Sequence, residues 1–286
     1  MGVNRIKTGY KSTIFCTLLL FVGMVSGGCG NNIATMSSGS EQEKVEMQTE
    51  PTEATTEATA EVVESEVILE ESTQPEETVE EKNIVTFTIS AAGDVTLGNT
   101  HMQDYSYSFR QMYDTQQDQG YFFKNVKSYF EADDMTIVNF EGVLTLSEER
   151  QERTYNMKGN PEYVSILTEG SVEAVSFGNN HRQDYGQRGS DDTIAAFREA
   201  DIGYAYNNNV GIYEANGITV GWVSVNEASY GDWVEKDVEQ GIQELKEAEV
   251  DIILVCCHWG TERENYPEEY QTTLGRKCID WGADLV

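Results

Sequence analysis

The chain has 286 residues, 39% hydrophobic and 24% charged, and its 50 acidic residues outnumber 19 basic ones for a formal net charge of −31. That balance argues against a nucleic-acid surface, which needs a basic footprint, and against attachment to anionic lipid by charge alone. Five cysteines in a chain this long do not make a disulfide scaffold.

At the N-terminus Arg5, Lys7 and Lys11 precede an apolar core over residues 14–25. About twelve apolar residues fall short of the roughly twenty that a membrane span takes, so residues 1–28 read as a secretory signal. The core ends in Val25-Ser26-Gly27-Gly28-Cys29. This resembles the lipobox of bacterial lipoproteins, with Ser26 where leucine is usual. The resemblance implies lipidation of Cys29 and an exported protein anchored at the outer face of the cytoplasmic membrane; ordinary signal cleavage is the alternative. Residues 29–83 read as a disordered acidic linker, because 15 Glu against Lys44 and Lys82 over residues 41–82 repel one another and bury too little apolar surface.

The texture changes at residue 84, and from there 35 acidic residues face 14 basic ones. Residues 84–89 alternate as a strand and run into a turn at Ala91-Ala92-Gly93-Asp94. Helical spacing over 121–130 is followed by a strand at 135–138 ending in Asn139-Phe140-Glu141-Gly142. Pro161 opens a short helix, and the strand at 172–177 leads into Gly178-Asn179-Asn180-His181. Ser190-Asp191-Asp192 are expected to cap a helix through Phe197, with a brief strand at 202–206 after it. Asn216-Gly217 predicts a hairpin between 211–214 and 218–225. A polar helix over 234–248, the most buried strand at 250–257, a helix over 271–281 and a strand starting at Ala283 complete the order. Alternating strands and helices with one hairpin give an α/β layer fold with a mixed sheet. Cys256 and Cys257 point to opposite faces of their strand as buried free thiols, with a disulfide from Cys278 to either as the alternative.

Asp94, Asn139 with Glu141, Asn180 with His181, and His258 all fall at C-terminal strand ends, the edge where open α/β sheets assemble sites. Each has a plain reading alone: Asp94 as a turn brace, Asn139 as a turn former, His181 as a satisfied histidine. Together they make a hard or borderline donor set for a divalent metal (Mn, Zn, Fe or Mg) in a phosphoester-type reaction.

Residues 87–286 resemble the bacterial capsule-synthesis family CapA, linked to poly-γ-glutamate, whose fold belongs with the calcineurin-like metallophosphatases. The residues that carry the resemblance are Gly93-Asp94-Val95-Thr96-Leu97-Gly98, Asn139-Phe140-Glu141-Gly142, Asn179-Asn180-His181 with Asp184-Tyr185-Gly186, His258-Trp259-Gly260 and Asp280-Trp281-Gly282-Ala283-Asp284. It implies a layered α/β/β/α sandwich with mixed sheets over 84–286, metal ligands Asp94, Asn139, Asn180 and His258, and catalytic His181 and Glu141. Trp259 is expected to wall the pocket or pack beneath its loop. The superfamily's histidine two places after the first aspartate is Thr96 here, and its last histidine motif would follow the strand at Ala283, so the domain reads as partial, incomplete at the C-terminus. The implied function is capsule or poly-γ-glutamate synthesis or anchoring. As a metal-dependent hydrolase or transferase, it would act on an anionic extracellular polymer or phosphoester, alongside a membrane-bound capsule synthase. The alternative is a non-catalytic polymer-binding or assembly protein on the same fold.

Overall fold

A computed structural model describes residues 84–116, 118–226 and 233–286. The signal segment, Cys29 and the linker lie outside the described residues. In chain order the strands are β1 (Ile89–Val95), β2 (Asn99–Thr100), β3 (Met135–Phe140), β4 (Val143–Leu144), β5 (Met157–Gly159), β6 (Ala174–Ser176), β7 (Gly203–Ala205), β8 (Gly211–Ala215), β9 (Ile218–Asn226) and β10 (Ile252–His258). The α-helices are α1 (Phe109–Thr115), α2 (Lys127–Phe130), α3 (Val164–Glu169), α4 (Gly186–Glu199), α5 (Trp233–Glu247) and α6 (Glu269–Trp281).

Parallel strands β1-β3-β6-β7 form one sheet, and β10-β9-β8 form a second, with β10 parallel and β8 antiparallel to β9. Strands β2, β5 and β4 form a small third sheet. Met135, Ile137 and Ala174 of the first sheet pack on Val220, Trp222, Ile252 and Leu254 of the second, so the two lie face to face. The outer face of the first sheet, through Val138, Phe140 and Val175, packs on Ile166, Leu167, Ile194 and Phe197 of α3 and α4. On the other side, Val234, Val238, Ile242 and Leu245 form one stripe of α5 at helical spacing and pack with Leu274 and Cys278 of α6 on Val223, Val225, Ile253 and Val255. The order is therefore helices, sheet, sheet, helices. Trp222 is fully buried at the inter-sheet seam, where its indole N–H donates to the Val175 carbonyl at 3.1 Å. Among the described residues no helix is long and apolar enough to cross a membrane.

Three local expectations need correction. The first strand is Ile89–Val95 rather than 84–89; Ala91-Ala92-Gly93-Asp94 continues in it, and the register shift against β3 between Ala92 and Asp94 makes a bulge where a turn was expected. Helix α4 begins at Gly186, which takes φ +62, so Ser190, Asp191 and Asp192 lie inside it. There Asp192 accepts from the Thr145 hydroxyl, while the Thr193 hydroxyl accepts from Leu144 N and donates to Gly189 O, so tertiary partners replace the capping role. The most buried strand is β9, whose last seven residues are all buried, because it lies between β8 and β10 within its sheet. The hairpin forms as expected, with Asn216 at φ 53 and Gly217 at φ 77. Cys256 packs toward the inter-sheet core and Cys257 toward α5 and α6, as alternation requires; both are half-buried, and with Cys278 they are free thiols.

Candidate functional site

Parallel pairing sets Asp94 opposite Asn139, and Asn139 opposite Ser176, so β1, β3 and β6 deliver their polar ends side by side. His258 ends β10 in the facing sheet. Asn139 Nδ2 donates to Asp94 Oδ1 at 2.7 Å and lies 3.2 Å from His258 Nδ1, which is itself 3.9 Å from Asp94 Oδ1. These three side chains help line a cleft of about 210 Å³ between β1, β3 and β10.

The orientation of Asn139 is set from behind. Asn179 donates through Nδ2 to the Phe140 carbonyl at 2.6 Å and accepts from His181 N at 3.1 Å, which fixes its amide. The same Nδ2 donates to Asn139 Oδ1 at 3.1 Å, leaving the Asn139 amino group to face Asp94 and His258. Presenting the Asn139 oxygen to a cation would require that amide to turn over and give up its bond from Asn179.

The second half of the site sits on the loop after β6 and the turn after β3. His181 Nδ1 lies 2.7 Å from Asp184 Oδ2, and its Nε2 lies 3.7 Å from Glu141 Oε1. Asp184 is fully buried and also accepts from Met157 N at 2.6 Å. Glu141 is placed by its own N–H, which donates to Val95 O at 3.0 Å, and by Gly142 at φ +115. A side chain there would be strained in that conformation and would meet Met157 Cβ at 3.1 Å. Asn180 contributes a buried side-chain oxygen without a hydrogen-bond partner.

The two halves are electrostatically joined. Burial raises the Glu141 carboxyl above its usual range, Asp94 and Asp184 add to this, and His181 opposes it. For His181, burial pulls downward, but the hydrogen bond and charge of Asp184, with the charge of Glu141, carry it above the ordinary imidazole value. His258 is lowered, first by burial and further by His181, against the pull of Asp94. A neutral His258 accepting from Asn139 fits that direction.

Among the described residues no three His, Cys, Asp or Glu side chains form a group able to hold a metal ion. The donors present still suit one in part. Asp94 and His258 converge, Asp94 and Glu141 crowd their negative charge, and the Asn180 oxygen has no donor. Hard oxygens with one imidazole are the chemistry divalent cations take.

The structure thus brings Asp94, Asn139 and His258 together, and pairs Glu141 with His181. Thr96 lies just past β1, and His101 is exposed, lining a separate cleft with Arg110 and Lys158. Trp259 packs with the core under α5 and α6. Sequence reasoning did not single out Asn179 for its amide link, Asp184 as partner of His181, or Arg153, whose Nη1 donates to Asn180 O and lies 3.4 Å from Asp184 Oδ1. The three-residue spacing of His181 and Asp184 was the available signal for one of them.

Stacked sheets with polar strand ends meeting at one edge define a class, and the chain belongs to the bacterial capsule synthesis protein family PGA_cap, matched over residues 88–286. It is 27% identical over 192 residues to the capsule biosynthesis protein CapA of Bacillus anthracis, covering 58% of this chain and 47% of that protein. It is 28% identical over 185 residues to the PGA biosynthesis protein CapA of Bacillus subtilis strain 168, covering 57% and 49%. The chain spans about half the length of the curated relatives it matches. Of solved structures, the calcineurin-like phosphoesterase YfkN from Bacillus subtilis superposes over 66% of this chain and 67% of its own, with a TM-score of 0.41 and 18% identity.

Proposed function

We propose that this protein is a cell-envelope component of capsule-polymer synthesis or anchoring, exported and held to the membrane through a lipidated Cys29. Its domain is read as a metallophosphatase-like sandwich that acts as a metal-dependent hydrolase or transferase on an anionic polymer or phosphoester. The observation that carries this reading is the meeting of Asp94, Asn139 and His258 at one strand edge, with the His181–Glu141 pair beside them. Family membership supports the capsule role.

In this reading Asp94 and His258 would hold a cation, with the unpartnered oxygen of Asn180 as a further candidate donor, and the cation would supply water activation and oxyanion stabilisation. Asp184 fixes the His181 ring with Nδ1–H toward its carboxylate, leaving Nε2 to carry a proton at the open side. That proton goes to the leaving group. Glu141, beside Nε2, is placed to return a proton to the imidazole, and the burial that raises its carboxyl favours its carrying one.

A second reading, a polymer-binding or assembly protein without turnover, is favoured by the amino face of Asn139 and by the absence of a three-residue acidic or imidazole cluster among the described residues. Metal content of the purified protein, with turnover of a γ-glutamyl polymer and a phosphodiester panel, separates the two. The enzymatic reading expects bound divalent metal, and turnover that falls at least about a hundredfold in Asp94→Ala and His181→Ala. Polymer binding that chelation leaves intact, with no turnover in any sample, rejects it for the second.

A further inference from the structure

From residue 84 on, 35 acidic residues face 14 basic ones, so an anionic substrate approaches through a repelling field and needs a local cation to be held. Three basic side chains near the His181 loop are committed elsewhere. Arg182 bonds the Ser190 hydroxyl and lies 4.8 Å over the Tyr206 ring, Lys158 bonds Glu148 and the Ser147 carbonyl, and Arg188 bonds Asp192. Arg153 is different. Its Nη1 bonds the Asn180 carbonyl and lies 3.4 Å from Asp184 Oδ1, while the side chain stays 46% exposed. Its remaining N–H groups have no partner among the described residues.

The loop that carries Arg153 is clipped in place. Gln151 N donates to Asp184 O at 2.8 Å, and Arg153 N donates to Gln151 O at 2.9 Å. The buried Asn156 amide donates to both Gln151 O and Asp184 O, at 3.2 and 3.1 Å. One carboxylate therefore positions two groups: Asp184 Oδ2 holds the His181 ring, and Oδ1 lies beside the Arg153 guanidinium. A guanidinium with one edge bonded inward and the other free is preset to grip a two-oxygen anion.

We propose that Arg153 is a specificity-determining residue of this site, whose free N–H edge binds an oxyanion of the substrate, carboxylate or phosphoryl, beside the bond presented to His181. The inference rests on the site reading above and assigns the group that selects for charge there.

The test is calorimetry on the full-length protein, at low and moderate salt, with a short γ-linked glutamyl oligomer, its glutaminyl counterpart and inorganic phosphate. The wild type is expected to prefer the glutamyl oligomer or phosphate over the neutral oligomer. Arg153→Gln is expected to weaken the anion at least about tenfold while leaving the neutral oligomer unchanged. Arg153→Lys, which keeps the charge without the fork, falls between. Whichever of glutamyl oligomer and phosphate loses more affinity in Arg153→Gln identifies the source of the oxyanion.

If both oligomers weaken equally, Arg153 merely braces Asn180 and Asp184, and the proposal is overturned. It is also overturned if the preference for anions survives in Arg153→Gln. Should that variant keep wild-type turnover and wild-type selectivity, this inference fails while the enzymatic reading stands. A wild type that neither binds nor turns over any of the probes removes both.

Discussion

Asp184 has no exposed surface, yet it orients the imidazole of His181 three residues earlier and receives Met157 N from a different sheet. Its charge sets where that imidazole titrates. In metal-free protein, NMR titration is expected to show His181 losing its proton above the ordinary value of about 6.5, and His258 below it. In Asp184→Asn the His181 midpoint moves down, because the accepting charge is gone while the burial stays. An unmoved midpoint would mean that Glu141 alone holds the proton there. Thiol chemistry gives a second residue-scale expectation. Burial pushes Cys256 up to about 12 and Cys278 up to about 11, so both should resist alkylation at pH 8 in the native state and react on unfolding. At this scale Asp94, His181 and His258 were legible as polar residues at strand ends. The amide orientation of Asn139 was not, because it depends on a carbonyl anchor at Phe140 reached through Asn179. Arg153 was hidden for a similar reason: it reaches Asn180 from 27 positions away on a loop with no strand or helix pattern.

Among the elements, β9 shows how neighbours decide what local pattern leaves open. Its sequence reads as one half of a hairpin, yet flanking by β8 and β10 makes it the most buried strand. Trp222 on this strand packs so tightly that a methyl group at Gly203 or Gly211 would come within 2.7 or 2.3 Å of its ring. Trp222→Ala is expected to cost about 3–5 kcal/mol, read by urea denaturation. Gly211→Ala should also destabilise the fold, by overpacking rather than by a cavity. The first strand was misplaced by five or six residues because Ala-Ala-Gly-Asp carries turn chemistry, while pairing with β3 turns the same residues into a bulged strand. The α4 start was misread because its polar residues find tertiary partners rather than helix-end amides.

For the whole molecule, the two histidines tilt stability against pH in opposite directions. His181 binds its proton more tightly when folded, so its contribution is fully present below about pH 6.5 and is lost as pH rises through its raised native value. His258 holds its proton less tightly when folded, so its contribution is present above about pH 6.5 and is lost as pH falls through its lowered value. Denaturation of His181→Gln across pH 5 to 9 should therefore show its deficit against wild type shrinking as pH rises. In His258→Gln the deficit should shrink as pH falls. An α/β layer fold was legible from alternating strands and helices, and the order of its layers was implied only by the family resemblance. The division of the strands into separate sheets was not, since nothing local tells β7 and β8 that they belong to different ones.

Beneath the site, the Ser176 and Ser224 hydroxyls meet at 2.6 Å, and Gly178 N donates to Ser224 at 2.8 Å. A methyl group on Gly178 would come within 2.4 Å of the Ser224 carbonyl. The pair works as a stitch through the binding of an open book, with Asp94 and Asn139 on one page and His258 on the other. The stitch ties the two pages to each other directly below the cleft that Asp94, Asn139 and His258 line.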